Sequence, residues 1–169
     1  MFFDLTAWAD VELEPFYAFD VSVPAAGFGF DASRYRTAYV EGLRGIHRYW
    51  QGIEACEVED LDDCRFKRRI DFGNGVKLCD CVEVTDDAIV QWIVQPDGTL
   101  YGRHETRIVP QADGGIVVRF TCALIPGTRG ETAEIEAVRE RIYRDKDEHF
   151  ALSVAQALGE RALSAKELA

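Results

Sequence analysis

The run from Gly52 to Val84, GIEACEVEDLDDCRFKRRIDFGNGVKLCDCVEV, constrains this chain more than any other segment. Gly73-Asn74-Gly75 is a strong turn signal between two stretches of strand character. A three-residue loop there sets Phe72 opposite Val76, Ile70 opposite Leu78, Arg68 opposite Asp80 and Phe66 opposite Val82. The other face then carries Arg65, Lys67, Arg69, Asp71, Lys77 and Glu83. Side chains alternate with period two, so a one-residue slip would invert every position.

The following turns extend this register. Thr85-Asp86-Asp87 predicts Val84 opposite Ala88, and Pro96-Asp97-Gly98 predicts Gln95 opposite Thr99. Trp92 then faces Gly102, and Val90 faces His104. Asp113-Gly114-Gly115 makes the last turn, with Ile116, Val118, Phe120, Cys122 and Leu124 on the apolar face. Tyr101, Arg103, Glu105 and Arg107 point outward. Agreement of successive turns on one inner face argues for an antiparallel meander.

Helical signals flank the strands. Phe16–Val23 alternates as a first strand, and Asp31 or Ser33 caps a helix running to about Gly42. A second short helical turn ends near Trp50. After Pro126 and Gly127 the chain turns helical for about 30 residues, with Thr128 or Thr132 as cap. Ile135, Val138, Ile142, His149, Leu152, Gln156 and Leu163 form the expected stripe toward the sheet. Residues 1–15 are an N-terminal extension ending at Pro15, and 16–165 are a single domain. Phe2, Phe3, Leu5 and Trp8 suit either a docked short helix or a loose segment. The fold class is α+β, a curved antiparallel sheet gripping a long C-terminal helix, with room for a ligand between them.

Charge narrows the partners. The chain carries a net charge of −11, and residues 1–33 hold acids but no Lys or Arg. Phosphate backbones and anionic lipid would repel it, so nucleic acid is not expected as a partner. No apolar run approaches the roughly 18 residues of a membrane span. The basic start of a secretory signal is missing, and the expectation is a cytoplasmic protein. The 5 cysteines show no C-x-x-C spacing, so neither a disulfide framework nor a metal site is expected. No phosphate-binding loop, dinucleotide fingerprint or nucleophile elbow is present, and no cofactor is expected.

The order of elements, with Gly52-Ile53-Glu54-Ala55-Cys56-Glu57-Val58, Phe72-Gly73-Asn74-Gly75-Val76 and Glu148-His149, resembles the helix-grip superfamily. That superfamily includes START lipid-transfer domains, birch-pollen-allergen-like proteins and aromatic polyketide cyclases. Within it the chain is most similar to the AtaL-like branch of unknown function, over about residues 16 to 163. It departs where a proline commonly precedes the Gly-Ile pair, since Gln51 stands there. The resemblance implies a hydrophobic cavity between sheet and helix and no defined reaction.

Polar residues on the inner face are the candidates for chemistry. Arg68 and Asp80 either form a self-satisfied internal ion pair or greet the polar end of a ligand. His104 is the candidate acid or base, or a core histidine bonded to a hydroxyl such as that of Thr106. His149 is expected to face the sheet. Trp50, Phe66, Phe72, Trp92, Phe120 and Tyr143 are candidate pocket walls or plain core. Cys79 and Cys81 fall outward beside Lys67 and Arg69, where nearby cations would favour a thiolate. Ile89, Ile93 and Val117 on the outer face allow a homodimer as readily as a monomer.

The expected function is binding of a small hydrophobic molecule, lipid-like, aromatic or polyketide-like. The alternative is a cofactor-free cyclase or dehydratase using His104, with Arg68 and Asp80 holding the substrate oxygen. A third reading is an interaction module whose acidic N-terminal segment takes a protein partner.

Overall fold

The computed structural model describes residues 5–25, 27–127 and 132–167, with side chains through 162. A short helix α1 (Leu5–Ala9) precedes β1 (Glu14–Val23), α2 (Ala32–Arg44) and a 3-10 turn (Ile46–Arg48). The meander follows as β2 (Ala55–Asp60), β3 (Arg65–Asp71), β4 (Lys77–Val84), β5 (Ile89–Val94), β6 (Leu100–Pro110) and β7 (Ile116–Leu124). Helix α3 (Ala133–Glu167) ends the chain. The strands form one curved antiparallel sheet in the order β1-β7-β6-β5-β4-β3-β2. Helix α3 packs on β1 and α2, and α2 packs on β6.

Local chemistry explains the element ends. The Asp31 carboxylate accepts from the Arg34 backbone N–H at 2.8 Å and caps α2. The Ile135 N–H reaches the Thr132 hydroxyl at 3.5 Å at the start of α3. Gly73 sits at φ 72°, a backbone conformation that favours glycine, and the Glu54 side chain lies in the space that a Cβ would take. With that turn in place, Arg68 pairs with Asp80, Phe66 with Val82 and Ile70 with Leu78, as the sequence predicts.

Strand β5 is inverted relative to the sequence reading. Val84 pairs with Ile89 rather than Ala88, because the loop holds four residues instead of three. The Thr85 N–H donates to the Ala88 carbonyl at 2.9 Å, and the Ala88 N–H donates back to the Thr85 hydroxyl at 3.1 Å. This turn takes in the extra residue. Gln91 and Ile93 therefore point inward, while Val90 and Trp92 point outward. A bulge between Ile93 and Val94 leaves Tyr101 as an extra residue on β6 and restores the phase. His104 and Thr106 thus face inward as expected, for a register the sequence reading did not foresee. Tyr101 packs against the main core instead of pointing to solvent. Gly102 is small because a Cβ there would lie 2.7 Å from the Ala123 carbonyl and from Leu124, not because it faces Trp92.

The convex face has its own small core. Trp8, on α1, covers Cys81, Val94 and Leu100, and its ring lies 6.3 Å from that of Trp92. Cys81 is outward on the sheet, as expected, yet fully buried. Burial, then the charge of Asp80, pushes its thiol up to about 11, the opposite of a reactive cysteine. Ile89 is buried and Ile93 faces inward, so of the three apolar residues expected on the outer face only Val117 stays there, half-buried.

Helix α3 presents a different face than its large aliphatic residues suggest. Phe150, Ala151, Val154, Ala155 and Leu158 are buried, whereas Ile135, Val138, Ile142 and Leu152 are exposed. Small residues let the helix approach closely, and the Tyr35 hydroxyl donates to the Ala151 carbonyl at 2.8 Å. No helix among the described residues is long and apolar enough to cross a membrane. The expected contributions of Phe2, Phe3, Thr128 and the Leu163 side chain lie outside what is described.

Candidate functional site

One hydrogen-bonded chain crosses the concave face from β3 to β1 and α3. Strand pairing alone sets most of it, since Arg68 stands opposite Asp80, and Gln91 opposite His104. Arg68 Nε donates to one Asp80 oxygen at 2.9 Å, and Nη2 donates to the other. Its Nη1 donates to the Leu43 carbonyl at 2.8 Å, and Nη2 also donates to Gln91 Oε1 at 2.7 Å. Gln91 Nε2 lies 3.0 Å from His104 Nδ1. His104 Nε2 lies 2.9 Å from Asp147 Oδ2, which accepts from the Tyr17 hydroxyl at 2.8 Å.

The chemistry of these groups assigns the hydrogens. A guanidinium only donates, so the Gln91 oxygen must face Arg68 and its NH2 must face His104. Nδ1 of His104 is then an acceptor, and the ring proton sits on Nε2, donating to the Asp147 carboxylate. Arg68 thereby selects the tautomer of a histidine three strands away, through one amide.

The two ends of the chain differ in access. Arg68 and Asp80 side chains are 3% and 2% exposed, while His104 and Asp147 are 8% and 15% exposed. Burial alone would lower the Arg68 pKa, but the Asp80 charge and hydrogen bonds outweigh it and the net direction is up. Burial, followed by the charge of Asp147, holds the Tyr17 hydroxyl far above the usual phenol range. Burial and the same carboxylate raise Tyr39.

Not every sequence candidate joins this site. Arg68, Asp80, Phe66, His104 and Phe120 are inside, with the His104 and Phe120 rings 5.8 Å apart. Phe72 is half-buried at the edge of the same core. Trp92, expected as an inner wall, lies on the convex face because of the four-residue turn. His149, expected to face the sheet, is exposed and lies 3.5 Å from the Ser153 hydroxyl. Thr106 is not the partner of His104; its hydroxyl lies 3.5 Å from that of Tyr39. Gln91, Asp147 and Tyr17 were missed. Gln91 had a signal, a lone amide in the apolar run Ile89–Val94, whereas Asp147 is one acid among many on α3.

Aromatic side chains fill much of the space between sheet and helices. Tyr39 lies 4.8 Å from Phe150 and 6.1 Å from Tyr35, centroid to centroid. Concavities open elsewhere. One of about 340 Å³ follows the β1–α3 seam, between Phe19, Ala137, Arg144 and Glu148. Phe19 stacks on Phe120 at 5.1 Å, so this seam is one aromatic pair removed from His104. Phe16 and Tyr143 meet edge-on nearby at 6.3 Å. No cluster of three or more metal-ligating side chains occurs among the described residues.

No protein-family model matches the chain, and no curated protein matches it in sequence. Solved structures do match it in shape. The di-domain ARO/CYC StfQ from the steffimycin biosynthetic pathway superposes with a TM-score of 0.61 at 15% identity, over 87% of this chain and 51% of that one. This chain therefore spans about half of StfQ. The Zhui aromatase/cyclase from Streptomyces sp. R1128 gives 0.59 at 13% identity, over 90% and 96% of the two chains. Ara h 8.0201 gives 0.58 at 11% identity, over 90% and 99%. These likenesses establish the helix-grip fold and do not single out the AtaL-like branch.

Proposed function

We propose that the protein binds a small, largely apolar molecule between the sheet and α3, entering along the β1–α3 seam. The ligand's one polar group, a hydroxyl or carbonyl, meets the cluster of His104, Asp147 and Tyr17. One observation carries this reading. The buried polar chain ends on Asp147 and the Tyr17 hydroxyl that donates to it, and the Asp147 side chain is the most exposed of the His104–Asp147 and Arg68–Asp80 pairs. Polar groups inside an apolar shell are costly, and pockets use a few of them to orient an apolar ligand. The nearby concavity lies at the small end of the range for ligand sites. Arg68 is not part of the ligand contact in this reading, because its donors are committed to Asp80, Leu43 and Gln91.

Native mass spectrometry of freshly purified protein, followed by solvent extraction, tests the proposal. A stoichiometric apolar adduct that His104→Gln or Asp147→Asn releases supports it. An adduct held equally by both variants would move the ligand away from this cluster and overturn the reading.

A cofactor-free cyclase or dehydratase is the second reading, favoured by the defined tautomer of His104. A neutral imidazole with Nε2–H held on a carboxylate is an oriented hydrogen-bond donor, placed to polarise a substrate oxygen that displaces Asp147. Two of the structures of like fold are named as aromatase/cyclases. Incubation with a linear poly-β-ketone analogue, monitored by mass for loss of water, discriminates the two. Turnover that disappears in His104→Ala while affinity survives selects the enzyme. Binding without turnover in the unaltered protein selects the carrier.

A further inference from the structure

A second concavity, of about 440 Å³, runs between α2 and α3 on the side away from the sheet. Its charged lining is unusual for this chain. Arg34, Arg48 and Arg161 line it from both helices and the 3-10 turn, and Glu41 is the carboxylate among its lining residues. The chain holds 30 acids against 19 Lys and Arg. Most arginines elsewhere pair with carboxylates, as Arg44 does with Asp60 at 2.7 Å and Arg119 with Asp20 at 2.9 Å, although Arg36 donates to the Thr85 and Ala88 carbonyls. Among the described residues no ion pair joins Glu41 or any other carboxylate to Arg34, Arg48 or Arg161. Arg34 Nη1 donates to the Gly29 carbonyl at 3.2 Å. The Arg48 stem and guanidinium lie back over Gly45, 3.5 Å from where a Cβ would stand.

The rest of the lining is apolar. Ala38 and Tyr49 form one wall, Val154 and Leu158 the other. Behind them the Phe150 ring lies 5.3 Å from Tyr49 and 4.8 Å from Tyr39, an aromatic partition between this groove and the His104 interior. Gly42 belongs to that partition, because a Cβ there would already stand 3.0 Å from the Phe150 ring.

We infer that this groove binds an amphipathic oxyanion, a carboxylate or phosphate carried on an apolar body. Guanidinium groups hold such oxygens through paired, charge-assisted hydrogen bonds. The aliphatic or aromatic body of the ligand lies on Tyr49, Val154 and Leu158. The net negative charge of the chain does not oppose this strongly, since exposed charges beyond a Debye length of about 8 Å are screened. The site is separate from the one proposed at His104.

Isothermal calorimetry with four probes, below their micelle concentrations, tests the inference: decanoate, decyl phosphate, decanol and inorganic phosphate. Decanoate or decyl phosphate should bind about ten-fold or more tightly than decanol, as expected for losing charge-assisted contacts. Inorganic phosphate should bind more weakly than decyl phosphate. The variant Arg48→Gln/Arg161→Gln should lose about ten-fold in affinity for the anionic probes, with its affinity for decanol and its melting temperature unchanged. Equal binding of decanol and decanoate would overturn the anion recognition. Equal binding of inorganic and decyl phosphate would overturn the apolar half. An anionic probe whose binding survives in the double variant but is lost in His104→Gln resides in the interior, and the groove assignment fails.

Discussion

The Arg68 end and the His104 end of the buried chain use similar groups to different effect. At the first, a cation and an anion face each other across β3 and β4, and the Leu43 carbonyl and Gln91 also accept from Arg68. At the second, a histidine and an aspartate meet across the gap between sheet and α3, with a tyrosine as third partner. A pair within one sheet is held by backbone ladders on both sides. A pair between sheet and helix is held only by packing, so it is the one a ligand or a helix shift can open. The difference shows why buried charge here reads as scaffold in one place and as chemistry in the other.

The sharpest way to break this comparison is to strand a charge at the closed end. Asp80→Ala should cost about 3–5 kcal/mol in chemical denaturation, because Arg68 is left buried and unpaired. Adding Arg68→Met should recover part of that loss. Equal losses in the single and double variants would mean that the two side chains do not act as a pair.

Cutting the link between the ends is the next largest change. Gln91→Leu leaves an Arg68 N–H and His104 Nδ1 without partners and should cost about 2 kcal/mol. Nitrogen NMR of the His104 ring should then report a mixture of tautomers. A ring that keeps Nε2–H in this variant would show that Asp147 alone sets the tautomer.

At the open end the effects are smaller. Tyr17→Phe removes one hydrogen bond to Asp147 and should cost about 1 kcal/mol, while changing ligand release in native mass spectrometry. The Arg68→Met/Asp80→Ala double variant should leave the ligand in place. If it instead empties the protein as Tyr17→Phe does, the two ends are not functionally distinct.

A spectroscopic titration gives the smallest signal. Burial raises the phenols of Tyr17, Tyr35 and Tyr39 above the ordinary value, with the Asp147 charge adding to Tyr17 and Tyr39. The folded state binds these protons more tightly than the unfolded chain, whose tyrosines titrate near about 10. Their contribution is fully present below that pH and is lost as pH rises above it. The absorbance of tyrosinate should therefore gain the share of these three residues only in the cooperative alkaline unfolding step. Ionisation of all 6 tyrosines in the folded protein near their ordinary pKa would contradict the buried positions.

Sequence reasoning succeeded where one local signal controlled geometry. Gly73-Asn74-Gly75 admits one loop length that keeps the apolar face together, so Arg68 opposite Asp80 followed directly. It failed at Thr85–Ala88, where loops of three and four residues look alike and only the Thr85–Ala88 hydrogen bonds choose. That choice turned Trp92 outward and Gln91 inward. It failed again on α3, where Ile135, Val138, Ile142 and Leu152 make the more hydrophobic stripe but Phe150, Ala151 and Val154 make the buried one. Hydrophobicity counts large side chains, whereas close packing of a helix on its neighbours favours small ones.

By itself the sequence determined the order of elements, the register of the central hairpin and the inward placement of Arg68 and Asp80, because turns and period-two alternation act over a few residues, whereas His104 faces inward through a turn and a bulge that compensate one another. Only the tertiary structure decided which groups those three side chains touch. Gln91 reached the network through a loop one residue longer than expected, and Asp147 and Tyr17 through the docking of α3 against β1. Tyr17 and Asp147 are 130 positions apart and His104 and Asp147 are 43 apart, and no local pattern in the chain encodes such contacts.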